Sequence, residues 1–227
     1  MQKKRIMIVS VICMLLLTLC ACGTKKQEKK ADTVDFSSLS KTGSMELNYA
    51  TQYSVDEYGG YKMITIVDGG RFLLIPKGVV VPQNIPEDVT VLQQPLDKTY
   101  LVSTSVMDLV RQIDAMSDIR LSGTKEDGWY VEEAREAMEE GDILYAGKYS
   151  APDYELILDE GCNLAIENTM IYHNPEVKEK LEELGIPVLV ERSSYESHPL
   201  GRLEWIRLYG CLLCTSPSPR DRSLSRM

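Results

Sequence analysis

Residues 145–210 read YAGKYSAPDYELILDEGCNLAIENTMIYHNPEVKEKLEELGIPVLVERSSYESHPLGRLEWIRLYG, and the fold is decided there. Two short apolar runs, Leu164–Glu167 and Val188–Glu191, are set between capped helical patterns. A chain that alternates in this way reads as βαβ units of a parallel sheet. The first helix carries Asp153-Tyr154-Glu155 behind a Ser150-x-x-Asp153 cap, with Pro152 expected in its first turn and Gly161 beyond its end. The second begins at Asn174 with Pro175 in first position, turns Val177, Leu181 and Leu184 inward, and stops at Gly185. Proline just inside a helix start and glycine just past its end suit the backbone demands of those positions.

Working upstream, Thr99–Val102 reads as the first parallel strand and leads through Ser103-Thr104-Ser105 into Val106, Leu109, Val110 and Ile113 at helical spacing. Ser105 and Asp108 make a capping-box-like pair there. Asp118–Gly123 is a second strand, Tyr130–Glu140 a helix with Val131, Ala134 and Met138 on one face, and Ile143–Gly147 a third strand. The expected fold is therefore α/β, a doubly wound, mostly parallel sheet over residues 97–210. Ahead of it, Tyr61–Val67 and Arg71–Ile75 flank Asp68-Gly69-Gly70, a strong hairpin signal because those residues tolerate positive φ. Pro82, Pro86 and Pro95 make 77–98 an extended connection, so hairpin and connection occupy 47–96. Residues 22–46, polar and without period, read as a flexible tether.

The two ends are of another kind. Lys3, Lys4 and Arg5 precede an apolar run, Ile6–Leu19, that is shorter than the ~20 residues of a permanent span, so residues 1–21 read as an export signal. The run closes in Leu19-Cys20-Ala21-Cys22-Gly23, which resembles a bacterial lipobox with Cys22 as the lipidated residue. Cys20 fits less well behind Leu19. After Gly210 the sequence CLLCTSPSPRDRSLSRM loses both acidic residues and helical period, and 211–227 is expected to be non-native. The whole chain carries a formal charge of −9; without the six basic and one acidic residues of those ends the body stands near −14. That balance argues against nucleic acid and anionic surfaces as partners of the body. Cys162 is the one cysteine left beside Cys22, which excludes a disulfide scaffold.

On the helix with Asp153-Tyr154-Glu155, the strand after Gly161, and the Leu184–Val190 run LGIPVLV, the sequence resembles the iron–siderophore/cobalamin (Fe/B12-type) substrate-binding proteins of bacterial ABC importers, over roughly 97–210. The resemblance implies the N-terminal lobe of a class III-like periplasmic-binding fold, incomplete without a second lobe. It implies a lipoprotein held at the extracytoplasmic face of the cell membrane. It also implies capture rather than catalysis, with an iron chelate, haem or corrinoid as ligand, no resident cofactor, and an ABC permease as partner. Glu155 takes the place of the acid that docks into arginine pockets of the permease, held off a stripe of Tyr154, Ile157 and Leu158. Leu203, Ile206 and Tyr209 look like the start of the helix that joins two lobes. Half a cleft is expected to bind ligand weakly or not at all.

The residues themselves allow less. No G-x-S-x-G elbow, Walker loop, G-x-G-x-x-G or H-E-x-x-H occurs, and His173 and His198 are the only histidines, so an enzyme is not expected. Polar loops at the carboxyl ends of parallel strands are where open α/β sheets place ligands. These ends gather Ser103, Thr104, Ser122, Lys148, Tyr149, Glu167, Asn168, Arg192, Ser193 and Tyr195 as candidate ligand contacts. Each hydroxyl is as readily a helix cap, and each tyrosine as readily a packing residue. A zinc or manganese receptor is an alternative that has only Glu167, His173, Glu191, Glu196 and His198 to draw on. A one-lobe adaptor or sensor lipoprotein is the other.

Overall fold

A computed structural model describes residues 33–214. Two five-stranded sheets organise them. The first runs in order β1 (Gly43–Ser44), β2 (Tyr53–Tyr58), β3 (Tyr61–Ile66), β4 (Gly70–Ile75) and β5 (Val89–Gln93), antiparallel except for the parallel β4–β5 pair. The hairpin foreseen around Asp68-Gly69-Gly70 is β3–β4, with Ile66 opposite Gly70. Two segments differ from expectation. The connection 77–98 contributes β5, because Val89 and Leu92 supply apolar faces to opposite sides of the sheet. The tether expected over 22–46 is packed from Val34 onward: Phe36 is buried, Val34 and Leu39 lie against it, and Gly43–Ser44 pairs with β2. Three apolar residues in a polar segment suffice for that.

The second sheet is wholly parallel, in order β12 (Val188–Val190), β11 (Leu164–Glu167), β6 (Thr99–Leu101), β7 (Ile119–Ser122) and β8 (Leu144–Tyr145). Helix α1 (Thr104–Gln112) joins β6 to β7, and α2 (Glu132–Glu139) joins β7 to β8. The chain then passes through a small hairpin, β9 (Gly147–Lys148) and β10 (Ala151–Pro152), into α3 (Tyr154–Asp159) before β11. Pro152 thus lies in β10, before the cap, while Asp153 accepts from the Leu156 N–H as the N-cap. Gly147 has φ +86°, and a β-carbon there would collide with the Ala151 carbonyl, so this turn requires glycine. Helix α4 (Pro175–Glu183) joins β11 to β12, and α5 (Pro199–Leu213) follows.

Alternation along the strands assigns the layers. Leu101, Ile119, Leu164, Ile166 and Leu189 face a large core shared with α1, α2, α5 and the inner face of the first sheet (Tyr53, Ile64, Phe72, Leu74). Tyr100, Leu121, Ala165 and Val188 face the other way, onto α3 and α4 through Ile157, Val177 and Leu181. With helices on both faces, the sheet is doubly wound as expected. Leu158 corrects the stripe proposed for α3: it is exposed, and Ile157 with half-buried Tyr154 and Leu156 makes the contact. Helix α5 also runs past the boundary expected at Gly210. Leu212 and Leu213 are buried, and the Gln94 amide donates to the carbonyls of Cys211 (3.0 Å) and Leu212 (2.9 Å). Cys211–Leu213 continue the apolar stripe of Leu208 and Tyr209, so these residues belong to the fold. Residues 215–227 lie outside the described residues, as do Cys22 and the export signal.

Candidate functional site

The chain enters the parallel sheet at its centre, β6, fills one side with β7 and β8, and returns to β11 and β12 on the other. The switch point is therefore the β6–β11 boundary, and the carboxyl ends of the strands at such a boundary are where open α/β sheets bind ligands. Ser103 follows β6, Glu167 ends β11, and Glu191-Arg192 follow β12.

The buried part of this region is a hydroxyl–carboxylate network. Glu191 is buried and accepts from Ser105 Oγ (2.7 Å), the Ser193 N–H (3.1 Å) and Ser193 Oγ. Ser103 Oγ lies 3.0 Å from Ser105 Oγ. The capping box expected of Ser105 and Asp108 does not form: Ser103 is the N-cap residue, Ser105 donates to Glu191, and Asp108 pairs with Arg111 at 2.7 Å. A carboxylate beside the N-terminus of α1 is a favourable placement, because it faces the positive end of the helix dipole.

Glu167 is set differently. Strand alternation turns it to the side of Ala165, into the α3–α4 layer rather than onto the rim. It is fully buried, and among the described residues neither carboxylate oxygen has a hydrogen-bond partner. Burial raises the hydroxyl pKa of both Tyr100 and Tyr154; the Glu167 charge is the next cause at Tyr100, and at Tyr154 it acts after that of Glu176. Tyr100 is occupied, donating to the Gly147 carbonyl at 2.7 Å. Burial raises the Glu167 carboxyl to about 8, against a smaller opposing pull from the Asn168 backbone.

Several other residues expected on the rim have inward roles. Ser122 is buried, accepting from Trp129 Nε1 (3.1 Å) and the Thr124 N–H (3.0 Å) while donating to the Thr124 carbonyl, so it closes the loop after β7. Tyr149 packs half-buried against the α3–α4 core. Thr104 and Lys148 are exposed, and Asn168 is half-buried with its side chain accepting from the Met170 N–H at 2.9 Å. Arg192 is buried, its guanidinium 4.4 Å from the centre of the Tyr195 ring and 3.4 Å from Asp68. Tyr195 is 55% exposed over that cation. Met170 and Tyr172 join it at the rim, exposed, with Tyr172 donating to the Asp68 carbonyl at 2.9 Å. No periodic signal marks those two in the sequence, because they sit in a single turn after Asn168.

The residues available to a metal do not converge. Glu196 is buried and fully engaged, accepting from the N–H groups of Thr51 (2.8 Å) and Gln52 (3.0 Å) and from Trp205 Nε1 (2.9 Å). His198 caps α5 by accepting from the Leu200 N–H and stacks on Tyr49, while His173 stands exposed beyond β11. Among the described residues, no group of three or more histidine, cysteine or acidic side chains could hold an ion. Glu155, in the first turn of α3, is exposed.

No family model matches the chain. Over 182 residues, 76% of this chain, it is 23% identical to an uncharacterized lipoprotein of the archaeon Methanocaldococcus jannaschii. The match spans 44% of that relative, so the chain corresponds to less than half of its length. The description of this distant relative as a lipoprotein supports a lipoprotein reading of the chain.

Proposed function

We propose that this chain forms the first lobe of a lipid-anchored substrate-binding receptor of an ABC importer. On this reading it captures an iron chelate, haem or corrinoid outside the cytoplasmic membrane and hands it to a permease without catalysing a reaction. The observation that carries the reading is the switch point between β6 and β11, with a rim that offers flat and polar groups rather than a reactive constellation. Tyr195 lies over the Arg192 guanidinium, with Met170, Tyr172, Thr104 and Asn168 on neighbouring strand ends. A cation-backed aromatic surface suits a planar or catechol-like anionic ligand. The exposed acid on α3, held by a helix with a side-chain cap, supports Glu155 as the docking group. An acid in a fixed orientation gives a charge-assisted arginine pair its register.

The test is Glu155→Arg in the complete native gene. Uptake of the labelled ligand is expected to fall to the background of a permease deletion, with calorimetric ligand affinity unchanged within twofold. Normal uptake by this variant would remove Glu155 from docking.

A further inference from the structure

The loop between β4 and β5 presents Val79, Val80 and Val81 in succession, 39%, 48% and 47% exposed. Lys77 and Gly78 before them are exposed as well. An uninterrupted exposed apolar run is costly in water and is retained where something covers it. The loop is not free to tuck the valines inward. Tyr61, buried in the first sheet, donates to the Val80 carbonyl at 2.9 Å, and the Val79 N–H closes a turn onto the Pro76 carbonyl.

Two residues further on, Gln83 pairs with the first packed residues of the chain: its N–H donates to the Val34 carbonyl (2.7 Å) and its carbonyl accepts from the Phe36 N–H (2.8 Å). The valine run therefore sits beside the point where the N-terminal segment joins the body. Cys22 is twelve residues before Val34, which limits any lipid on it to about 40 Å of chain from that point. The intervening sequence carries Lys25, Lys26, Lys29 and Lys30, and Lys77 adjoins the valines. The acidic balance of the body as a whole opposes a general anionic-surface contact. Headgroup attraction, however, acts only within about a Debye length, and Lys25 and Lys26 are the charges nearest the anchor in sequence.

We infer that Val79–Val81 is a membrane-contact loop, inserted at the headgroup level of the leaflet that holds the Cys22 lipid. The inference rests on the lipid-anchored reading of the chain. The acyl groups hold the protein at the surface, and the valine loop fixes which side of the lobe faces it, since a short apolar segment adds orientation to an anchor rather than replacing it.

The experiment uses the full chain, produced in a bacterial envelope and reconstituted into vesicles of phosphatidylcholine and phosphatidylglycerol at three to one. Trp129 and Trp205 are both buried, so Val80→Trp adds the one exposed indole among the described residues. Phosphatidylcholine brominated near the carbonyl end of its chains is expected to quench that added emission at least twofold. Glu179→Trp, on α4 across the parallel sheet, is expected to stay unquenched. An unquenched Val80→Trp on a chain whose mass shows the acyl groups overturns the inference alone. Equal quenching at both positions overturns it too, as does self-association of the chain that Val80→Asp abolishes, which assigns the run to a second copy. Absence of acyl mass at Cys22 overturns the anchored reading and the inference together.

Discussion

Glu167→Gln is expected to stabilise the protein in alkaline solution and to leave its stability near pH 4 almost unchanged. The ordinary value of this carboxyl is 4.5, and burial raises it to about 8 in the folded chain. Between those values the folded state holds a proton that the unfolded state has released. Stability from this group is therefore complete below pH 4.5 and declines as pH rises through 8. Each tenfold change in proton affinity is worth roughly 1.4 kcal/mol, so a shift from 4.5 to about 8 corresponds to up to about 5 kcal/mol lost by pH 9. Glutamine keeps the shape of the protonated acid and cannot ionise. Urea unfolding of both proteins at pH 4, 6 and 8.5 reads the difference directly, because every other titrating group is common to them. Parallel stability profiles would show that Glu167 finds water or a partner.

The second large effect is expected at Trp205. It is fully buried where α5 meets the first sheet, 5.0 Å from the Tyr53 ring between centroids, with its Nε1 donating to Glu196. Trp205→Ala is expected to cost about 3–5 kcal/mol, as buried aromatic truncations do. Part of this belongs to Glu196, which loses one of the donors that hold a buried carboxylate. Trp205→Phe, which keeps most of the volume, isolates the loss of that hydrogen bond and is expected to cost less than half as much. A urea midpoint for Trp205→Ala within experimental error of the unsubstituted protein would place the core elsewhere.

The parallel sheet was legible because each of its strands is an apolar run bounded by a cap or a glycine. Leu164–Glu167 and Val188–Val190 fall within the segments read from sequence. What sequence did not reveal depends on partners far along the chain. Residues 33–46 look like a tether by composition, yet Phe36 alone finds a buried site on the outer face of the first sheet. Val89–Gln93 lies among prolines that suggest only extension, and the vacant edge of β4 makes it a strand. The candidate site was legible as a set of strand ends but not as orientations. Glu167 and Asn168 are adjacent in sequence, and strand alternation sends the first into the core while the second caps the turn at the rim. Glu191 was visible only as an acid at a strand end; its role needs Ser105, brought to it across 86 positions.

The contacts of α5 with residues 48–52 have a mechanical consequence. Glu204 accepts the backbone N–H groups of Asn48 (2.9 Å), Tyr49 (2.7 Å) and Ala50 (2.7 Å), and Glu196 those of Thr51 and Gln52. The Tyr53 hydroxyl adds a bond to the Glu204 carbonyl at 2.7 Å. Six successive residues are thus riveted to one helix and its leading turn. Tension arriving from the N-terminal side runs through this seam and the antiparallel β1–β2 pair before it loads any strand of the parallel sheet. Part of that load ends at the rim itself, because Glu196 directly follows Tyr195 and Arg192 Nε donates to Gln52 at 3.5 Å. A pull on the N-terminal side is therefore felt at the Arg192–Tyr195 pair without passing through the parallel strands.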